Sequence, residues 1–215
     1  RYVVRDGSIL AFELGVRPTA ESGFRIVGAH TDSPNLRIKP QPAVESQGYV
    51  QLAIEPYGGV LLHSWLDRDL SLAGRVSILR EGAVETVLVD FARPILRIPD
   101  LAIHLQREIR EQGLKLNPQT QMTPVFGLTG GESFEEALSC EIERNAGLRV
   151  SPNDIASYEL MTYDTLRAEI GGASGEFLFA GRLDNLGSCH AATSALIVAG
   201  GAGAATHSRV IVLYD

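Results

Sequence analysis

Between residues 49 and 55 the apolar side chains Val50, Leu52 and Ile54 alternate with their neighbours, the two-residue period of a strand with one buried face. The pattern recurs. Residues 75–79 and 86–91 read as strands around the turn pair Glu81-Gly82, and Pro40 and Pro42 punctuate the approach to Tyr49. A stretch so patterned, from about 36 to 172, is expected to form a small β barrel or sandwich. The flanks read differently. Tyr2–Arg5 and 9–14 are short strands around Asp6-Gly7, and 24–27 is a strand running into a polar segment that Pro34 closes. Near Gly171-Gly172 the composition shifts again. Residues 176–180 are extended, 185–199 form an Ala-rich helix, and 209–214 form a buried strand that ends at Asp215. The expected class is α/β: 1–35 and 173–215 are pieces of one α/β domain, and 36–172 is a β-rich insertion between them.

Two helices are expected inside the insertion. One starts at Pro99-Asp100, with Asp100 as N-cap and Leu101, Leu105 and Ile109 as its apolar stripe. The other carries a capping box, Ser133 with Glu136. Phe134, Ala137, Leu138 and Ile142 form its buried face, and Gly147 stops it. Hydrophobic residues make up 45% and charged residues 21%, which suits a chain with a packed core. The net charge of −7 argues against nonspecific nucleic-acid binding, which needs dense Lys and Arg. Cys140 and Cys189 stand too far apart for a metal knuckle or a disulfide framework, so a reducing, cytoplasmic compartment is expected. No apolar run reaches the roughly 20 residues a bilayer span needs, and no membrane partner is expected.

His30 and Asp32 follow the strand at 24–27, Asp184 stands between the extended stretch at 176–180 and the Ala-rich helix, and Asp215 ends the last strand. In open α/β sheets ligands collect beyond the carboxyl ends of strands, and a His with several carboxylates there suits a cation such as zinc. The spacing His30-x-Asp32 fits one ring nitrogen on a metal and the other donating to a carboxylate, which fixes the tautomer. The competing reading is a strand-end turn with Asp32 as an Asx-turn cap. Asp184 reads either as a helix N-cap or as a metal-bridging carboxylate. His104 reads by pattern as a core histidine, with a ligand role as the alternative. His63, His190 and His207 have no carboxylate at a recognisable spacing and read as structural or exposed. Asp67-Arg68-Asp69 beside Trp65 reads as a set of Arg–carboxylate bridges, or as a substrate contact.

Four segments occur in order: Gly28-Ala29-His30-Thr31-Asp32-Ser33-Pro34; Trp65-Leu66-Asp67-Arg68-Asp69-Leu70-Ser71-Leu72-Ala73-Gly74-Arg75; Arg97-Ile98-Pro99-Asp100-Leu101-Ala102-Ile103-His104-Leu105-Gln106-Arg107; and Arg182-Leu183-Asp184-Asn185. Together they resemble the aspartyl aminopeptidase family, its bacterial members most, over almost the entire chain. The resemblance implies a zinc-peptidase-like α/β domain, incomplete here, interrupted by a β-rich lid and dimerisation domain. It implies two zinc ions per active site. His30 would bind one of them, Asp32 would orient His30, and Asp184 would bridge both. His104 would reach a neighbouring subunit's active site, as a substrate contact or as a metal ligand. The implied activity is release of N-terminal, acidic residues from peptides by a metal-activated water. The implied assembly is a homo-oligomer of dimers, up to a dodecamer. The family pattern continues into paired glutamates, a further Asp and a C-terminal His that these 215 residues do not contain, so the chain alone is expected to be inactive. A deacylase of N-acyl amino acids and a noncatalytic assembly protein are the alternatives on the same fold.

Overall fold

The computed structural model describes all residues, 1–215. In chain order the elements are β1 (Tyr2–Arg5), β2 (Ser8–Glu13), α1 (Thr19–Ser22), β3 (Phe24–His30), β4 (Asn35–Ser46), β5 (Tyr49–Tyr57), β6 (Leu70–Arg80), β7 (Ala83–Asp90), α2 (Ile109–Gln112), β8 (Val125–Leu128), α3 (Phe134–Ala146), β9 (Ile155–Asp164), β10 (Glu169–Gly171), β11 (Phe177–Phe179), α4 (Leu183–Gly201) and β12 (Ser208–Tyr214). The chain divides into two compact units. One joins Arg1–Ser33 to Arg167–Asp215, and the other is Pro34–Leu166. The return crossing therefore follows Leu166 rather than 172. Gly171-Gly172 marks a hairpin instead: β10 pairs with β11, with Gly171 opposite Phe177, and both strands belong to the first unit.

In Pro34–Leu166, β7-β6-β9-β4-β5-β8 form one antiparallel sheet. Its tight turns are local in origin. Gln47-Gly48 and Glu81-Gly82 each carry two successive positive φ angles, 53° and 83°, then 52° and 81°. That backbone matches the twist of the strands it joins and strongly favours Gly at the second place. The sheet also closes on itself. Leu96 bridges β6 at Leu70, and Arg97 bridges β8 at Val125, so the stretch around 95–98 links the edge strand β8 to β6 and completes a ring. Of the two expected architectures, the barrel is the one that forms. Its core contains Leu36, Leu52, Leu70, Leu72, Ile98 and Leu160, all buried. The helix α3 packs against β7 and adds Phe134, Leu138 and Ile142 to the same core. Phe134 meets Phe126 and Tyr158 edge-on, with centroids 5.9 and 5.6 Å away, the arrangement that ring quadrupoles favour. The Ser133–Glu136 capping box and the left-handed Gly147 end this helix as expected.

The helix expected from Asp100 does not form. Asp100 accepts from the N–H of Leu101, and only a single turn at Ile103–Leu105 and the four residues of α2 follow. Leu101 and Leu105 are exposed, so no stripe is buried. A helix this short is not stable without an apolar face packed on something, and this segment finds none within the chain.

The other unit holds the sheet β1-β2-β12-β3. Here β12 runs antiparallel to β2 and parallel to β3, with Val212 opposite Gly28 and Tyr214 opposite His30. The helix α4 packs on β3 and β12, burying Cys189 and Ala192 against Ala29, Ile211 and Leu213. No helix of the chain is long and apolar enough to cross a membrane.

Candidate metal centre

The parallel pair β3 and β12 sets the site. His30 is the last residue of β3, level with Tyr214, and the ladder continues one step as the N–H of Thr31 donates to the Tyr214 carbonyl at 2.9 Å. Thr31 also donates its hydroxyl to the Gly7 carbonyl, which pins the turn to the β1–β2 hairpin. Asp32 follows, and its Oδ1 lies 3.0 Å from His30 Nδ1, with the Asp32 carbonyl 3.1 Å from the same atom. Two acceptors on Nδ1 favour the tautomer with its proton there, which leaves Nε2 as a lone-pair donor.

Nε2 faces Asp184, with Oδ1 3.6 Å away. Asp184 is free to make this approach because it stands outside regular helix. Its φ and ψ are −89° and 109°, and Asn185 is also non-helical. No side chain caps this helix start, so the N-cap reading of Asp184 does not hold. Its side chain is 94% exposed.

These atoms suit a cation. Two donors bound at about 2.1 Å to a tetrahedral zinc ion stand roughly 3.4 Å apart, close to the separation of Nε2 and Oδ1. A borderline ion accepts an imidazole nitrogen and a carboxylate oxygen together. The fit is that of two donors, since no group of three or more His, Cys, Asp or Glu that could hold a metal ion gathers in this chain.

The remaining sequence candidates fall elsewhere. Asp215 does not join the pair. Its N–H donates to Ser8 Oγ and its carboxylate lies against Gly7, because the chain leaves β12 on the side of the β1–β2 hairpin. His104 lies in the other unit, exposed within the single turn Ile103–Leu105, so it is not a core histidine. His63 and His190 are exposed, and Nδ1 of His207 meets the Ser22 carbonyl at 3.0 Å. Around Trp65 the charges engage one another: Arg97 reaches Asp69 at 2.6 Å and Asp67 at 3.8 Å, and Arg68 pairs with Asp164. Two residues that sequence reasoning passed over sit beside the pair. Ser33 donates its hydroxyl to the Asp184 carbonyl at 3.3 Å, and the Cys189 thiol donates to the His30 carbonyl at 3.1 Å. Ser33 directly follows Asp32 in the sequence, whereas no local spacing pointed to Cys189.

A family model described as Aminopeptidase I zinc metalloprotease (M18) matches residues 1–215. The chain belongs to the M18 family. A probable M18 family aminopeptidase 2 of Pseudomonas fluorescens (strain SBW25) is 48% identical to it over 200 residues, which is 91% of this chain and 46% of that protein. Among solved structures, a chain of the Ape4 and Nbr1 complex superposes with a TM-score of 0.89 at 36% identity, covering 100% of this chain and 44% of that one. The S. cerevisiae mApe1 dodecamer gives 0.76 at 29% identity, covering 100% of this chain and 48% of that one. This M18 chain thus spans about half the length of the relatives it matches.

Proposed function

We propose that the full-length protein is a zinc aminopeptidase that releases N-terminal, acidic residues from peptides with two zinc ions in one active site. The observation that carries this reading is the His30 ring, engaged by Asp32 at one nitrogen and facing Asp184 with the other. In this reading His30 would hold one ion through the nitrogen that faces Asp184. Asp184, whose carboxylate is exposed, would contribute to holding both ions. Asp32 retains the proton on Nδ1 and keeps the ring from rotating. When bound, zinc supplies the Lewis acidity that polarises a scissile carbonyl and brings a water's pKa toward neutrality. His104 acts on the substrate from a neighbouring copy, and its exposure supports a contact outside its own unit. A homo-oligomer of dimers is supported by the likeness to a chain solved as a dodecamer. A cytoplasmic site of action is supported by two free cysteines, one exposed and one buried. The acidic preference rests on the resemblance to aspartyl aminopeptidases.

The test uses the full-length protein, its zinc content, and a panel of aminoacyl and N-acyl substrates. H30A and D184A are expected to lose zinc and aminopeptidase activity together. Retention of both properties in either variant would falsify the assignment. Cleavage of N-acyl substrates alone would make the protein a deacylase, and bound zinc without hydrolysis would make it an assembly protein.

A further inference from the structure

The two ligand-type residues sit on segments that are tied to each other twice, and the ties are reciprocal. Ser33, on the loop after β3, donates its hydroxyl to the backbone carbonyl of Asp184 at 3.3 Å. Cys189, on α4, donates its thiol to the backbone carbonyl of His30 at 3.1 Å. Each bond ends on the peptide of a ligand-type residue itself, so a shift at either tie moves a donor atom directly. Cys189 is only 7% exposed and is wedged in the small core with Ala29, Ala192 and Ile211, which gives its thiol little freedom to turn away.

We infer that Cys189 and Ser33 are positioning residues for the metal pair, clamping the end of β3 to the start of α4. The inference rests on the metal reading of His30 and Asp184 given above. The clamp compensates for a weakness of the local backbone. The chain at Asp184 and Asn185 is non-helical and has no side-chain cap, so the regular helix ladder does not hold it there. A metal site is sensitive to displacements of about half an ångström in its donors, and supporting hydrogen bonds of this kind commonly carry 10–100-fold in affinity. A thiol is a weak donor, but this one is buried and has a defined acceptor in the His30 carbonyl. The competing role for Cys189 is simple packing as a small apolar side chain. The two roles predict different responses to substitution. Valine fills the space without donating, and serine donates with some loss of packing.

The experiment uses the full-length protein with zinc. The zinc dissociation constant is measured by competition with a chromophoric chelator, and the melting temperature of the metal-free form is measured beside it. C189V and S33A are each expected to weaken zinc binding by about tenfold, while C189S stays within about threefold of the wild type. The metal-free melting temperatures should not rank the variants in that order. If C189S is as weak as C189V, the effect is packing and the role assigned to Cys189 is overturned. If C189V and S33A bind zinc as tightly as the wild type while H30A loses it, the clamp is overturned and the metal reading survives. Tight zinc in H30A and D184A instead removes the metal reading itself. Ser33 is only partly buried, so S33A carries the test even where C189V does not fold.

Discussion

Asp32 Oδ1 lies 3.0 Å from Nδ1 of His30, while Asp184 approaches the opposite nitrogen of the same ring. The ring is thus held at one end and presented at the other. Replacing Asp32 with Ala in the full-length protein frees the tautomer and the ring torsion. Zinc affinity is expected to fall about 10–100-fold, read by chelator competition, with D32N intermediate. Unchanged affinity in D32A would show that the backbone carbonyl of Asp32 suffices.

The 215-residue chain by itself is expected to fold without holding zinc tightly, because His30 and Asp184 have no third ligand with them. Tight zinc in proteins takes three or four protein donors. Metal analysis after gel filtration checks this, together with an aminoacyl substrate that should remain uncleaved. Stoichiometric zinc surviving that step would mean that the chain supplies donors from elsewhere.

Ser133 Oγ accepts from the Glu136 N–H at 3.2 Å, and Glu136 Oε2 accepts from the Ser133 N–H at 2.9 Å. S133A is expected to cost about 1 kcal/mol in urea unfolding at neutral pH. The hydrogen bonds from the Ser133 backbone, then from its hydroxyl, hold the Glu136 carboxyl below its ordinary value of 4.5. A depressed carboxyl stabilises the fold above its unfolded value and loses that contribution as pH falls through the folded one. The gap between wild type and S133A should therefore narrow in acid, below about pH 4.

Tyr158 donates its hydroxyl to the Lys39 carbonyl at 2.9 Å. Burial, and then the charge of Glu135, push its pKa up to about 12. A phenol raised in the fold contributes its full stability below its unfolded value near 10 and loses it as pH rises toward 12. Y158F is expected to cost about 1 kcal/mol at pH 8 and to lose less stability than the wild type between pH 9 and 12. Urea midpoints across that interval measure both effects. Parallel alkaline decline in the two proteins would assign the loss to other groups.

Gly74 lies in β6 with φ of 157°, and a Cβ there would stand 1.9 Å from the Glu159 carbonyl oxygen of β9. The obstacle is backbone, so no rotamer relieves it. G74A is expected to destabilise the barrel by about 3 kcal/mol or to prevent its folding. Thermal melts of the chain decide it, and a melting point within a degree of wild type would mean that the two strands can separate locally at little cost.

Much of this architecture was legible because its causes are short-range. The turns Asp6-Gly7 and Glu81-Gly82 are where the sequence puts them, and β5 buries Leu52 and Ile54 as its alternation requires. The capping box of α3 spans four residues and needs no partner from elsewhere. The helical spacing of Leu101, Leu105 and Ile109 predicts a helix from Asp100 that the fold does not form. That spacing only makes a helix when something covers the stripe, and Leu101 and Leu105 stay exposed. Ring closure through Leu96 and Arg97 left no trace in periodicity, since two single bridges are too short to carry one.

The sequence by itself put a carboxylate two residues from His30, within reach of the ring, and the structure pairs the two. Only the tertiary structure decided that Asp184 meets the other nitrogen, that Asp215 turns away toward Gly7, and that Ser33 and Cys189 tie the two segments. Those outcomes depend on β3 lying parallel to β12 with α4 packed across them. That arrangement arises from which apolar faces find one another, and no local spacing encodes it.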